Sequence, residues 1–306
     1  MEERFAGSAE YVAQDNLKQI VNIAMALEKP LLVKGEPGTG KTMLARAVAE
    51  ALDMPLITWN IKSTTKAQDG LYVYDVVQRL YDSQFGTHGV DDIGRYVKMG
   101  KLGEAFTAEE QTVLLIDEID KADLEFPNDL LWELDQMEFY IPETNETVKA
   151  KHRPVVIITS NAEKELPDAF LRRCIFHYID FPDEEQMRKI IGVHFHQIEE
   201  TLVDQAMATF YWIRSLPEIE KKPGTSELID WLRALQIGGV PVEELAARSG
   251  CEIPLAGVLL KKDKDLGVLK STGGGDSLCF WISSICSGPG AWRFRWTSGC
   301  WCWRAC

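Results

Sequence analysis

The stretch Leu31-Leu32-Val33-Lys34-Gly35-Glu36-Pro37-Gly38-Thr39-Gly40-Lys41-Thr42 decides the fold. An apolar run meets a glycine-punctuated turn, and beyond it Leu44, Ala47, Val48, Ala51 and Leu52 recur at helical spacing. The order is strand, turn, helix. In that context Gly35-x-x-x-x-Gly40-Lys41-Thr42 reads as a phosphate-binding loop, because the glycines let backbone N–H groups turn inward on phosphate oxygens and the helix N-terminus adds partial positive charge. Gly35, Glu36, Pro37, Gly38, Thr39 and Gly40 form the cradle, Lys41 reaches the β- and γ-phosphates, and Thr42 ligates Mg²⁺.

Outward from the loop, residues 55–60, 113–116, 155–158 and 176–179 read as further strands. Continuous apolar strands separated by helical stretches imply a parallel sheet covered on both faces. The expected class is therefore α/β, a five-stranded parallel sheet in residues 1–182 followed by a small helical domain over 183–270. Residues 62–111 are too many for one crossover helix and form an insertion, with Val73, Val76, Val77 and Leu80 on one helical stripe and Gly86 as its stop. Past Pro182 the pattern is helical: Met187, Ile190 and Ile191, then Leu202 to Ile213, Leu228 to Leu235, and Val242 to Ala247.

The third strand ends in Asp117-Glu118, the acidic pair expected beside such a loop: Asp117 holds Mg²⁺ through water and Glu118 orients the attacking water. Asp120, followed by Lys121, reads as a solvated helix entry. At the end of the fourth strand Asn161 has two readings, a turn former or an amide that bonds the γ-phosphate and the attacking water. His194-Phe195-His196 lacks an evident third ligand and reads as helix surface.

The chain has 306 residues with 45% hydrophobic and 26% charged, a soluble globular composition without an apolar run long enough to span a bilayer. The start, Met1-Glu2-Glu3-Arg4-Phe5, carries neither the basic nor the apolar region of a secretory signal, so the expected location is the cytoplasm. A net charge of -14 opposes general adhesion to nucleic acid or to anionic membranes. Residues 271–306 break the pattern: they hold Cys279, Cys286, Cys300, Cys302 and Cys306 together with Trp281, Trp292, Trp296, Trp301 and Trp303, and no Lys or Glu. Such a tail reads either as an out-of-frame product of a GC-rich gene, or as a genuine metal, disulfide or interaction segment. Cys300-Trp301-Cys302 lacks zinc-knuckle spacing, so no metal is assigned there.

Taken together, these motifs resemble the AAA+ ATPases over most of residues 10–240. The resemblance makes Lys41 and Thr42 the Walker A residues, Asp117 and Glu118 Walker B, and Asn161 sensor 1. In Leu166-Pro167-Asp168-Ala169-Phe170-Leu171-Arg172-Arg173-Cys174 it implies an arginine finger that completes a neighbouring subunit's site, Arg173 first and Arg172 second. Without the family, both arginines read as basic residues at a helix C-terminus. Asn60 resembles the polar switch that restrains the catalytic glutamate. Val12-Ala13-Gln14, the long insertion, a hairpin over Glu138–Val148 and the Leu166–Arg173 stretch are similar to the MoxR group of chaperone-like machines. A second arginine sensor is missing from its expected place in Gly224–Arg233, and Arg233 lies about a turn too late.

The resemblance implies ATP and Mg²⁺ as ligands, a homo-oligomeric ring, hexameric, and a protein client, with a von Willebrand factor A-domain protein as a family-type partner. Tyr72-Val73-Tyr74 has two readings, an aromatic grip facing a pore or packing. Two rivals share the catalytic core: a nucleic-acid motor or loader, opposed by the acidic body and the lack of an appended DNA-binding motif, and a nucleotide-gated binding module without hydrolysis.

Overall fold

A computed structural model describes residues 5–8, 11–86, 91–195, 197–242, 245 and 253–272. The chain divides into two compact units, residues 1–197 and 198–306. The division falls one helix later than the boundary expected near Pro182. The helix after Pro182 stays with the first unit, where Gln14 Nε2 donates to Gln186 Oε1 at 2.6 Å.

In chain order the first unit contains α1 (Asp15–Ala26), β1 (Leu31–Gly35), α2 (Lys41–Ala51), β2 (Leu56–Asn60), α3 (Ala67–Leu71), β3 (Tyr72–Tyr74), α4 (Val76–Phe85), β4 (Val97–Met99) and α5 (Lys101–Thr107). It continues with β5 (Val113–Asp117), α6 (Phe126–Asp129), α7 (Leu131–Gln136), β6 (Glu138–Ile141), β7 (Glu146–Lys149), β8 (Val155–Ser160), α8 (Asp168–Leu171), β9 (Ile175–Ile179) and α9 (Glu184–His194). Five strands form one parallel sheet in the order β2-β5-β8-β1-β9. This is the P-loop α/β fold expected from the sequence.

Alternation along the strands explains why they read as continuously apolar. Leu31 and Val33, Val113 and Leu115, and Ile157 face one side, against Leu17 and Val21 of α1 and Leu44 and Val48 of α2. Leu32, Leu114, Ile116, Val156 and Ile158 face the other, against Leu102 and Phe106 of α5, Phe126 of α6, Leu134 of α7 and Leu130 between those two helices. Both faces are buried, so the strand centres are apolar on both sides, and polar side chains such as Thr159 and Ser160 come in at the carboxyl end. Register then brings the carboxyl ends together: Asn60 pairs with Asp117, and Lys34 with Ser160.

The insertion differs from its expected form. Asp75 accepts a bond from the Gln78 N–H and starts α4 at Val76, which leaves Val73 outside the helix in a β3–β4 antiparallel pair. The apolar stripe is exposed, with Val76 at 60% and Val77 at 79%. Gly86 ends α4 at φ 68°, a left-handed position that suits glycine. Tyr72 is buried, stacked on Phe139 at 6.2 Å, and its hydroxyl donates to Glu143, so this tyrosine packs. Gly70 lies under the Trp59 ring, where a Cβ would come within 2.2 Å of Cη2. The β6–β7 hairpin forms where it was read.

The second unit holds α10 (Glu200–Ser215), α11 (Thr225–Gly238) and the short helices Ala256–Leu259 and Asp263–Thr272. Ala206, Phe210, Trp231, Leu232 and Leu259 are buried. The Asp265 carboxylate, fully buried, accepts the N–H groups of Glu220 and Lys221 at 2.9 and 3.2 Å. The anomalous tail beyond Thr272, Cys251, His196 and most of the expected Val242–Ala247 helix lie outside the described residues. Among the described residues no helix is long and apolar enough to cross a membrane.

Candidate active site

The loop from Gly35 to Gly40 bends back on its own lysine. Lys41 Nζ donates to the carbonyls of Gly35 and Glu36 at 2.9 and 2.8 Å, and Thr39 Oγ1 donates to the Glu36 carbonyl at 2.8 Å. Gly40 caps α2 at φ 82°, a backbone state that L side chains rarely adopt. Lys41 is buried, and desolvation lowers its proton affinity despite the opposing charges of Asp120, Asp117, Glu118 and Glu36. A buried ammonium held by neutral backbone carbonyls is suited to exchange them for an anionic partner.

Thr42 and Asp117 meet across the sheet, Thr42 Oγ1 donating to Asp117 Oδ1 at 3.0 Å. Thr159, not singled out from the sequence, joins them. Its hydroxyl donates to Asp117 Oδ1 at 2.6 Å and accepts from the Glu118 N–H at 2.8 Å. Thr159 thereby fixes both acids of the pair. Glu118 sits in the left-handed region at φ 58°, a conformation that costs a non-glycine residue roughly 1–2 kcal/mol and that the Thr159 bond helps to hold.

The Glu118 side chain is held at both oxygens. Asn161 Nδ2 donates to Oε1 at 3.0 Å, and Lys121 forms an ion pair with Oε2. Asn161 is thus more than a turn former, and Lys121 is a second residue the sequence reading missed. Asn60 is exposed at the end of β2, in register with Asp117, while Lys121 and Asn161 hold the Glu118 carboxylate. Asp120 is not a solvated helix entry: it is 3% exposed and accepts the N–H groups of Asn161 and Glu163 at 3.3 and 2.9 Å. Burial is stabilised there because the carboxylate replaces water with backbone donors, and it fixes the segment that carries Asn161. Its spacing two residues past Glu118 was the one available signal.

The arginines stand apart from this cluster. Arg173 Nε donates to Asp135 Oδ2 at 2.5 Å and its Nη1 to the Ala169 carbonyl at 2.9 Å, while Arg172 is exposed. Beside the loop, Tyr11 approaches Gly40, where a Cβ would lie 3.2 Å from Tyr11 Cε2. Val12, Gln14, Asp15, Gln186 and Lys189 line an adjoining cleft of about 390 Å³. Among the described residues no cluster of His, Cys, Asp and Glu could hold a metal by itself. Thr42 and Asp117 do supply hard oxygen donors of the kind Mg²⁺ takes alongside phosphate oxygens and water.

Comparison with known proteins bears on the fold that carries this site. Residues 30–174 match the AAA domain of the dynein-related subfamily, a P-loop nucleotide-binding domain. A stretch of 214 residues, 66% of this chain, is 27% identical to midasin of Giardia intestinalis, of which it spans 4%. Over 242 residues, 76% of this chain and 81% of the relative, it is 24% identical to the denitrification regulatory protein NirQ of Stutzerimonas stutzeri. Over 189 residues, 59% of this chain and 25% of the relative, it is 27% identical to the ATP-dependent zinc metalloprotease FtsH 1 of Conexibacter woesei. The chain therefore spans small parts of midasin and FtsH 1 and most of NirQ.

Proposed function

We propose that this chain is an ATP-hydrolysing AAA protein of the MoxR type, assembled as a homo-oligomeric ring, that remodels a protein client. The observation that carries the reading is the Thr42–Asp117–Glu118–Asn161 cluster at the carboxyl ends of β1, β5 and β8, where a P-loop protein binds nucleotide. In this account the loop N–H groups from Gly35 to Gly40 receive the phosphates, and Lys41 leaves its carbonyl partners for them. The cleft at Val12–Asp15 takes the base. Thr42 and Asp117 hold Mg²⁺, which neutralises charge on the phosphate oxygens when bound. Glu118, oriented by Asn161, positions water against the γ-phosphorus; the oxygen of water bonds to phosphorus, the bridge to ADP breaks, and the water proton passes to Glu118.

Arg173 completes the site of the next subunit in the ring. In P-loop enzymes such an arginine contributes ~10³–10⁵ in rate. The resemblance of its motifs to the MoxR group is what supports a chaperone-like role in maturing a protein complex or metalloenzyme, with a von Willebrand factor A-domain protein as partner and the ring as a hexamer. ATP turnover per subunit, measured as protein concentration rises, tests the reading. The expected result is a steep rise that vanishes in Arg173→Ala. Flat, negligible turnover despite tight ATP binding contradicts it and favours a nucleotide-gated binding module.

A further inference from the structure

We infer that Asp135 is a positioning residue for Arg173, holding its guanidinium with one terminal nitrogen directed away from its own subunit toward an anionic group on a second copy of this chain. The inference rests on the reading of Arg173 as a residue that acts on a neighbour. Two bonds fix the guanidinium: Nε to Asp135 Oδ2 at 2.5 Å and Nη1 to the Ala169 carbonyl at 2.9 Å. Both partners belong to the same subunit, and neither bond uses Nη2. An arginine held in this way offers a preset donor instead of a freely rotating chain, so less freedom is lost when the anion arrives.

The two anchors stand on one core. Asp135 lies on α7, whose neighbour Leu134 is buried with Leu130, Ile116 and Ile119, next to the acidic pair at the end of β5. Arg173 follows α8, whose Phe170 is buried in the same cluster, with Leu171 and Cys174 packed against it. Movement of either helix relative to the other therefore has to disturb shared packing, which is resisted in a close-packed interior. The ion pair itself is open to water, with side-chain exposures of 42% and 39%, so its contribution to stability is small. Geometry is what such a pair determines. A carboxylate on Nη1 and Nη2 would compete with the incoming anion, whereas one on Nε, with Nη1 on the Ala169 carbonyl, leaves Nη2 for it.

The test is a double-mutant cycle on the full chain, with Asp135→Ala, Arg173→Ala and the double variant assayed for kcat, for KM of ATP and for assembly by light scattering. Asp135→Ala is expected to lower kcat by about 10²-fold, the loss typical of a misplaced catalytic group, with KM for ATP and assembly unchanged. In the Arg173→Ala background it should cause no further loss. Asp135→Glu should recover part of the rate, and Asp135→Asn, which keeps the shape without the charge, should recover less. An unchanged or raised kcat in Asp135→Ala, or a loss that persists undiminished in the Arg173→Ala background, overturns the inference. If Arg173→Ala is itself fully active, the underlying reading of Arg173 fails instead, and the two failures are separate in the data. Loss of assembly in Asp135→Ala with full recovery of assembly but not of rate in Asp135→Asn supports the inference; recovery of both overturns it.

Discussion

Asn161 Nδ2 donates to Glu118 Oε1 at 3.0 Å, joining the ends of two neighbouring strands through the carboxylate proposed to activate water. The bond makes the orientation of Glu118 depend on β8. Glu118→Gln keeps the shape and the amide contact but removes the proton acceptor. It should retain ATP and lose about 10²–10⁴-fold in kcat, the range for a general base. Single-turnover kinetics with measured nucleotide affinity checks this; unchanged turnover refutes the role.

Asp120 offers a separable prediction. Its carboxylate accepts two backbone N–H groups on the Asn161 segment while 3% exposed. Asp120→Ala leaves those donors unsatisfied and should destabilise by about 1–3 kcal/mol per the usual penalty for buried unpaired groups. Denaturant unfolding measures the loss, and turnover should fall with it because Asn161 is no longer held.

Cys174 predicts a pH dependence. Burial first, and then the Asp135 charge, push its thiol up to about 12 from an ordinary 9.0. A raised acid favours the neutral form in the folded state, so its stabilisation is complete below pH 9 and is lost as pH rises toward 12. At pH 9 an unperturbed thiol is half ionised, whereas this one should be ionised to about one part in a thousand. Site-resolved alkylation by mass spectrometry should therefore find Cys174 slow in the native protein and fast after unfolding. Equal rates would contradict the burial argument.

Gly70 has no room for a side chain beneath Trp59, whose ring also meets Phe126 edge-on at 5.5 Å. Gly70→Ala should cost about 1–3 kcal/mol through overpacking and alter the near-ultraviolet dichroism of Trp59. A thermal midpoint and spectrum equal to those of the parent would remove this account of the insertion's attachment.

Residues whose chemistry is local were readable from the sequence. The Gly35–Thr42 loop, the apolar strands and the Asp117-Glu118 ending all declare themselves within a few positions. Thr159 and Asp120 did not, because each acts through a partner some forty residues distant in the chain, Asp117 for one and Asn161 for the other. The stripe Val73, Val76, Val77 and Leu80 misled for the opposite reason. Periodicity reports that a face is apolar, and what covers it is a tertiary matter; on α4 that face is exposed. The domain division shifted past α9 because pattern alone cannot tell to which body a helix is tied.

Each site is proposed to be completed by a neighbour's Arg173, and mixing two inactive variants tests this most directly. Lys41→Ala subunits lack a working loop but carry the arginine; Arg173→Ala subunits carry the loop but lack the arginine. Each alone should be nearly inert. In mixed rings formed by random assortment at equal amounts, about a quarter of the interfaces join an intact loop to an intact arginine, and turnover should return to about that fraction of the parent rate. A mixture as inactive as its components, with ring assembly intact, would contradict the account.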